Sequence, residues 1–291
     1  MRKRKRKLKK EITITLYIMA AIAIIFVGVN FFSRKNDEKI SNTESEAKIE
    51  GTSEIPSSID DEKILKYLKA FQERSKEEPK YNNIIQAAPM YPEDVLRLLY
   101  SNPETIDFAL NYDKTRMPGI FVKIDEECGD GKIPRLQQWD EKWGYSEYGD
   151  GIIAVNGCGP TALSMVASGL TGKRSITPIK VAKYSDSKGY HEANGTNWRL
   201  MYEGAKKFGI KGWKIDKTDK VFKEELEKGH PIICSMKPGD FTKEGHFIVI
   251  AGLKDGKFIV NDPNSIKRSE KLWTFKEIGW QVKACWAYSE D

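Results

Sequence analysis

The feature that most constrains this chain is an uncharged, largely apolar run near its start. Residues 12–32 read ITITLYIMAAIAIIFVGVNFF and contain no charged side chain. Because a helix of about 20 apolar residues spans the hydrocarbon core of a bilayer, the run predicts a transmembrane helix. Eight of the ten residues at the start are Lys or Arg. Such a basic cluster is typical of the cytoplasmic side, so we expect the rest of the chain on the outer face.

The same run has two other interpretations. A cleaved signal peptide usually has a shorter apolar part and a small-residue cleavage site, which Val27-Gly28-Val29 matches poorly. A buried core helix is disfavoured directly after so basic a segment. We therefore expect a basic cytoplasmic tail over residues 1–11 and a signal-anchor over residues 12–32, in a single-pass protein of the cell membrane with an extracellular catalytic domain.

The charge of the chain is distributed unevenly. The net charge is +6, and the first ten residues alone contribute +8, which leaves −2 for everything that follows them. The folded part therefore lacks the basic surface that nucleic-acid binding requires, and we expect no nucleic-acid partner.

Residues 33–59 are polar, contain no aromatic side chain and are rich in Ser, Glu and Lys, which predicts a flexible linker. Asp60 or Asp61 is then a candidate N-cap for a helix with apolar residues at helical spacing. Two shorter helices are predicted at 92–99 and 104–110. We interpret residues 60–130 as a helical N-terminal region without evident chemistry.

In residues 131–291 the pattern changes from helices to strands. Helices are predicted at 161–170, 177–189, 197–208 and 220–228, and strands at 231–236, 246–252, 257–261 and 280–288. Asp255-Gly256 is typical of a tight hairpin between the two middle strands. Helices followed by an antiparallel sheet indicate the α+β class.

The four cysteines do not form a disulfide framework or a Cys-x-x-Cys zinc motif, so we expect no metal or other cofactor. Cys234 and Cys285 lie in apolar strand-like runs and are predicted to be buried in the core. Cys128 lies in a polar loop that carries no further signal.

Cys158 is the candidate nucleophile. In Gly157-Cys158-Gly159-Pro160 the thiol stands where a helix begins, and the free N–H groups and dipole of a helix N-terminus favour a thiolate. A small residue packed where a helix meets a sheet is the alternative. The motif on its own does not decide between them.

A thiolate catalyst requires a base, and the base requires an acceptor that orients it. His246 opens a predicted strand, whereas His191 and His230 lie in polar turns. Asp262 ends the strand that follows the Asp255-Gly256 turn. In a regular two-residue hairpin Asp262 would face Val249, three residues from His246 and about 10 Å away along the strand. Contact between them therefore requires a wider loop or a bulge.

An oxyanion intermediate requires N–H donors. The Cys158 amide is one candidate, and the side-chain amide of Gln137 or Gln138 is another. Both glutamines precede the cysteine, and either could equally be a surface side chain.

Residues 131–291 resemble the papain-like cysteine peptidases related to the double-glycine peptidases that process bacteriocin leaders. The matching pieces are Leu136-Gln137-Gln138-Trp139-Asp140, Gly157-Cys158-Gly159-Pro160-Thr161, Gly245-His246-Phe247-Ile248-Val249 and Asn261-Asp262-Pro263-Asn264-Ser265, in the family's order of Cys, His and Asp. The resemblance implies a papain-like peptidase domain with Cys158 as nucleophile, His246 as base and Asp262 as its orienting acid. It also implies Gln138 in the oxyanion hole, because the family's glutamine precedes Asp by two residues and Trp by five.

The sequence departs from this pattern in three ways. Gln138 lies 20 residues before Cys158, so the segment between them must loop out, and His246 follows Cys158 by only 88 residues. No ATP-binding G-x-x-x-x-G-K-[ST] motif is present, so neither coupled peptide export nor cleavage after a double glycine is implied.

We expect an extracytoplasmic peptidase that hydrolyses amide bonds of a peptide or cell-wall peptide through a thioester. Two alternatives stay open: a cell-wall amidase or acyltransferase of the same fold, and an inactive surface binding module. The expected partners are this substrate and, through the N-terminal helix, the membrane. The sequence gives no indication of the oligomeric state.

Overall fold

The computed structural model describes residues 51–112, 122–192 and 195–291. The predicted cytoplasmic tail, the signal-anchor at 12–32 and the linker as far as residue 50 lie outside these ranges. None of the helices in the described ranges is long and apolar enough to cross a membrane.

The helices of the described ranges fall before and between the strands. The α-helices are α1 Glu62–Arg74, α2 Tyr81–Gln86, α3 Glu93–Ser101, α4 Ile106–Leu110, α5 Ile153–Asn156, α6 Cys158–Thr171, α7 Pro178–Ser187, α8 Ala205–Lys207, α9 Asp219–Glu227, α10 Ile266–Glu270 and α11 Phe275–Ile278. Short 3-10 helices occupy Ala88–Met90, Pro103–Thr105 and Gly279–Gln281, and Leu200–Gly204 form a π-helix.

The central sheet is antiparallel and has six strands in the order β5-β10-β6-β7-β8-β9. These strands are β5 Ile210–Lys214, β6 Ile232–Met236, β7 His246–Lys254, β8 Lys257–Asn261, β9 Leu272–Trp273 and β10 Val282–Glu290. Two small ribbons pair β1 Glu147–Tyr148 with β2 Gly151–Ile152, and β3 His191–Glu192 with β4 Gly195–Thr196.

Both faces of the sheet are covered. One face packs Phe247 and Val249 against apolar residues of α6 such as Leu163 and Val166. The other face forms a second core with Phe222 of α9. Cys234 and Cys285 face each other across β6 and β10 inside this second core, which confirms the prediction that they are buried structural residues.

The predicted order of helices followed by an antiparallel sheet is confirmed in outline, but several elements differ from the prediction. Strand β5 was not predicted, because IKGWK has a central glycine and weak apolar alternation. The predicted helix at 197–208 begins only at Leu200 and is a π-helix before it becomes α8. Gly209, at φ 81°, ends it as expected.

The N-terminal helical region has a core of its own. Leu68 and Phe71 of α1 pack against Ile84, Leu96 and other buried residues of the neighbouring helices. Asp61 caps α1 by accepting hydrogen bonds from the amides of residues 63 and 64, which selects one of the two predicted caps.

The last part of the predicted linker packs against the N-terminal helical region. The Ser53 amide donates to Asn82 Oδ1 at 2.8 Å, and Gln72 Nε2 donates to the Ser53 carbonyl at 2.9 Å. Residues 51–59 therefore belong to the same compact unit as the helices that follow them.

Candidate active site

Cys158 is the first residue of α6. The helix starts three residues earlier than predicted, so the thiol belongs to its first turn, where amide N–H groups have no carbonyl partner within the helix. Cys158 is partly buried and packs against the core on the face of the sheet that α6 covers. A helix N-terminus favours negative charge at this position.

The glycine after Cys158 allows the β3–β4 ribbon to approach the start of α6. A Cβ atom on Gly159 would lie 2.6 Å from Thr196 Oγ1, closer than side-chain atoms can pack. Thr196 Oγ1 also lies 2.9 Å from the Tyr148 hydroxyl, which is fully buried. Any residue larger than glycine at position 159 would therefore clash with Thr196, and the residues around the thiol are tightly packed.

His246 and Asp262 are brought together by a β-bulge in the hairpin. From the turn, Lys254 pairs with Lys257 as in a regular two-residue hairpin, but Ala251 has no partner and the register then shifts by one. Val249 therefore pairs with Asn261 rather than with Asp262. Because neighbouring residues of a strand point to opposite faces, the shift places Asp262 on the same face as His246.

The resulting contact is direct. His246 Nε2 lies 2.7 Å from Asp262 Oδ1, with the imidazole 7% exposed and the carboxylate fully buried. The Cys158 thiol is near enough to the same imidazole to be one of the groups that raise the pKa of His246. The structure thus places Cys158, His246 and Asp262 in one cluster.

The Asp262 carboxylate has further partners that were not predicted. Arg268 Nε lies 2.5 Å from Oδ2, and the Asn264 amide donates to Oδ1 at 2.8 Å. The Ser269 hydroxyl accepts a hydrogen bond from the Asp262 amide at 2.9 Å. All three partners lie within seven residues after Asp262. Their contact with Asp262 depends on how the chain folds back as it enters α10, which the sequence pattern does not show.

The charges in this site reinforce one another. Burial lowers the pKa of His246, but the negative charge of Asp262, the hydrogen bond with Asp262 and the nearby Cys158 thiol outweigh it and raise the pKa to about 9. Burial raises the pKa of Asp262, whereas His246 and Arg268 lower it, and the net shift is downward. An imidazolium beside a carboxylate is therefore the favoured state near neutral pH.

Gln138 lies beside the segment that leads to Cys158. Its side-chain Nε2 donates to the carbonyls of Ala154 at 2.7 Å and Val155 at 3.3 Å. Its backbone amide donates to the Pro263 carbonyl at 2.7 Å. Within the described ranges, Gln138 Oε1 is buried without a hydrogen-bond partner. The structure thus brings Gln138 between the residues before Cys158 and the loop after Asp262, and within the described ranges it forms no hydrogen bond with the thiol.

Taken as chemistry, a thiol at a helix N-terminus, an imidazole and a buried carboxylate form the constellation of a nucleophile, a base and an orienting acid. The family comparison agrees with this class of site. The model of the "Peptidase_C39 like family" matches residues 131–291. The chain belongs to this family, and its mixed helix-and-sheet fold is similar to that of C39 peptidase domains.

Two solved structures match the chain at low identity and low TM-score. One is the peptidase domain of Streptococcus ComA, a bi-functional ABC transporter involved in a quorum-sensing pathway, with 22% identity, a TM-score of 0.37, and coverage of 47% of this chain and 93% of that one. The other is a putative C39-like peptidase from Bacillus anthracis, with 15% identity, a TM-score of 0.36, and coverage of 57% and 99%. No curated protein matches the chain.

Proposed function

We propose that this protein is a cysteine peptidase that hydrolyses amide bonds through a thioester at Cys158. The observation that carries the proposal is the 2.7 Å contact between His246 and the buried carboxylate of Asp262, with the Cys158 thiol at the N-terminus of α6 beside the imidazole. Membership of a peptidase family supports the same reaction class.

In the proposed reaction, the Cys158 sulfur attacks the carbonyl carbon of the substrate while its proton resides on His246. The tetrahedral intermediate collapses when His246 gives that proton to the leaving amine, which breaks the C–N bond and leaves a thioester. Water then attacks the thioester and gives a proton to His246, and the carboxylic acid leaves with Cys158 restored. Asp262 stabilises the imidazolium and fixes its orientation.

The oxyanion of each intermediate requires donors at the start of α6. The Cys158 amide is one proposed donor. Gln138 Nε2 is the other, and it would exchange its longer contact with the Val155 carbonyl at 3.3 Å for the substrate oxygen. The shorter contact with Ala154 can persist, because a side-chain amide has two N–H groups.

Alkylation of the full-length protein by iodoacetamide, mapped by mass spectrometry, tests this proposal. At pH 6 we expect Cys158 to react at least about tenfold faster than Cys128, because a neighbouring imidazolium and a helix N-terminus stabilise the reactive thiolate form of a thiol. Burial raises the pKa of Cys128, which makes it a slow internal reference. The advantage of Cys158 should disappear in His246→Ala.

Peptide hydrolysis by the same proteins then separates the remaining alternatives. We expect Cys158→Ala to abolish it and Cys128→Ser, the matched control, to leave it unchanged. Products that carry a new acyl acceptor instead of a free carboxylate would indicate an acyltransferase, and release from cell-wall peptides alone would indicate an amidase. A Cys158 that reacts no faster than Cys128 and ignores His246 would leave a binding module as the better description.

A further inference from the structure

The N-terminal helical region contacts the loop that follows Asp262. This region lies outside the family match, which begins at residue 131. The contact is made by Glu104, in the 3-10 helix between α3 and α4. Its Oε1 accepts a hydrogen bond from the Ser265 hydroxyl at 2.6 Å, and its Oε2 accepts from the Ile266 amide at 2.7 Å and the Lys267 amide at 3.2 Å. Both carboxylate oxygens are thus engaged by the residues that follow Asp262.

Asn102 strengthens the same contact. Its Nδ2 donates to the Asn264 carbonyl at 2.5 Å, and its Oδ1 accepts from the Glu104 amide at 3.1 Å. Asn102 is buried, so it joins the loop and fixes the backbone of Glu104 away from solvent. The two side chains hold residues 264–267 at four points.

The segment that Glu104 and Asn102 hold is the one that supports Asp262. Within the part of the chain that the structure describes, the Asp262 carboxylate pairs with His246 and accepts hydrogen bonds from the Asn264 amide and from Arg268 Nε. The Ser265 hydroxyl, while donating to Glu104, accepts from the Arg268 amide at 3.1 Å. A displacement of this loop would therefore move two of the three partners of the carboxylate.

The same helical region also packs near the other half of the site. Phe108 of α4 stacks on Tyr145 with ring centroids 4.3 Å apart, and it packs with Leu98 and Ala154. Ala154 is the residue whose carbonyl accepts from Gln138. Contacts from residues 98–108 thus reach both the segment before Cys158 and the loop after Asp262.

We propose that Glu104, supported by Asn102, is a positioning residue that holds the 264–268 loop against Asp262 and so maintains the Cys158–His246 pair. The inference rests on the proposed function, because it assigns a role to that same site. It makes the N-terminal helical region a part of the catalytic unit. Neither a simple spacer nor a detachable docking module would fit this role.

The test compares the pH profile of Cys158 alkylation in the full-length protein and its variants. Glu104→Gln keeps the shape of the side chain but replaces one acceptor oxygen with an NH2 donor. If this NH2 faces the amides of residues 266 and 267, it cannot accept their hydrogen bonds. If it faces the Ser265 hydroxyl, it cannot accept the hydrogen bond that this hydroxyl donates to Glu104. Glu104→Asp keeps the charge but is one methylene shorter. Glu73→Gln is the matched control, because Glu73 pairs with Lys76 on the exposed surface of the same region.

For Glu104→Gln we expect the alkylation rate of Cys158 at pH 6 to fall about three- to tenfold, with little change at pH 9.5, where a thiol ionises without help from an imidazolium. Glu104→Asp should show an intermediate loss, and Glu73→Gln should match the unmodified protein. Cys128 should react equally in all of them. Circular dichroism checks that each variant is folded, and if Glu104→Gln is not, Glu104→Asp decides.

The outcomes separate the two proposals. A profile of Glu104→Gln that matches the unmodified protein, while His246→Ala still removes the fast reaction, overturns the positioning role and leaves the proposed function intact. An equal loss at every pH indicates a general loosening and also overturns it. If the unmodified protein itself shows no dependence on His246, the proposed function fails and the positioning role fails with it.

Discussion

Asp262 is the residue at which the structure concentrates its polar contacts. A fully buried carboxylate is costly unless charged or hydrogen-bonding groups surround it. Here His246 and Arg268 supply positive charge to the two oxygens, and the Asn264 amide adds a third donor. Removing one of these partners is therefore expected to leave the buried carboxylate less stabilised and to weaken its pairing with the remaining partners.

The raised pKa of His246 predicts how stability depends on pH. Burial lowers this pKa, but Asp262 and Cys158 raise it from 6.5 to about 9. The stabilisation from the charged imidazole is complete below about pH 6.5, declines as the unfolded histidine loses its proton, and is absent once the pH has risen through about 9. We expect the free energy of unfolding to fall over this range.

Urea unfolding at pH 6, 8 and 10 measures this effect. The difference in unfolding free energy between the unmodified protein and His246→Ala should be largest at pH 6 and smallest at pH 10. The comparison within each pH removes the contribution of other titrating groups. A difference that stays constant across the range would show that the imidazole is not preferentially charged in the folded protein.

At the level of elements, the hairpin of β7 and β8 depends on its turn and on its bulge. Asp255 and Gly256 both have positive φ, at 53° and 72°, as a two-residue type I′ turn requires. The turn sets the register near the tip, and Ala251 changes it by one residue before the strands reach His246 and Asp262. The bulge is thus the local feature that makes the pair possible.

The packing of α4 against the segment before Cys158 gives a second prediction. Phe108 is 2% exposed, and its truncation to Ala should lower the free energy of unfolding by about 3–5 kcal/mol. All seven tryptophans lie at residue 139 or later. Tryptophan fluorescence should nevertheless report the loss, because the mutated ring packs directly against that part of the chain.

Urea unfolding followed by fluorescence and by circular dichroism tests this prediction. We expect both signals to shift together, as one cooperative transition requires. Met90→Ala is the control, since Met90 is 75% exposed and its removal should leave the midpoint unchanged. If the helical region folded independently, the fluorescence transition would stay in place while circular dichroism became biphasic.

At the scale of the whole molecule, the sequence of residues 1–32 predicts where the protein is located. A basic tail before an uncharged run predicts that the tail stays in the cytoplasm while the peptidase domain lies outside the cell. The described helices do not bear on this prediction, because the run lies outside them.

Digestion of intact cells by an added protease tests the predicted orientation. With an epitope at the N-terminus, we expect the tail to remain protected in the membrane fraction while residues 51–291 are degraded. A protected peptidase domain would place it in the cytoplasm instead. A peptidase domain released into the medium without the tail would indicate a cleaved signal peptide.

The sequence alone predicted the parts of this protein that depend on local pattern. Apolar periodicity and capping residues gave most helices, and Asp255-Gly256 gave the hairpin turn at its observed position. Cys158, His246 and Asp262 were candidates because a thiol before a helix, a histidine opening a strand and an aspartate ending one are local features. The choice of Gln138 came from the resemblance, and its role stays a prediction.

Only the tertiary structure decided how these residues meet. A regular hairpin would place Asp262 and His246 on opposite faces. Gly252 in IVIAGLK marks a place where a strand can bulge, but no local pattern selects Ala251 as the extra residue. The partners Arg268, Asn102 and Glu104 depend on contacts between segments that are distant in sequence or turn back on themselves. Such contacts follow from how the elements pack, because hydrogen bonds between distant segments form only where packing brings them within reach.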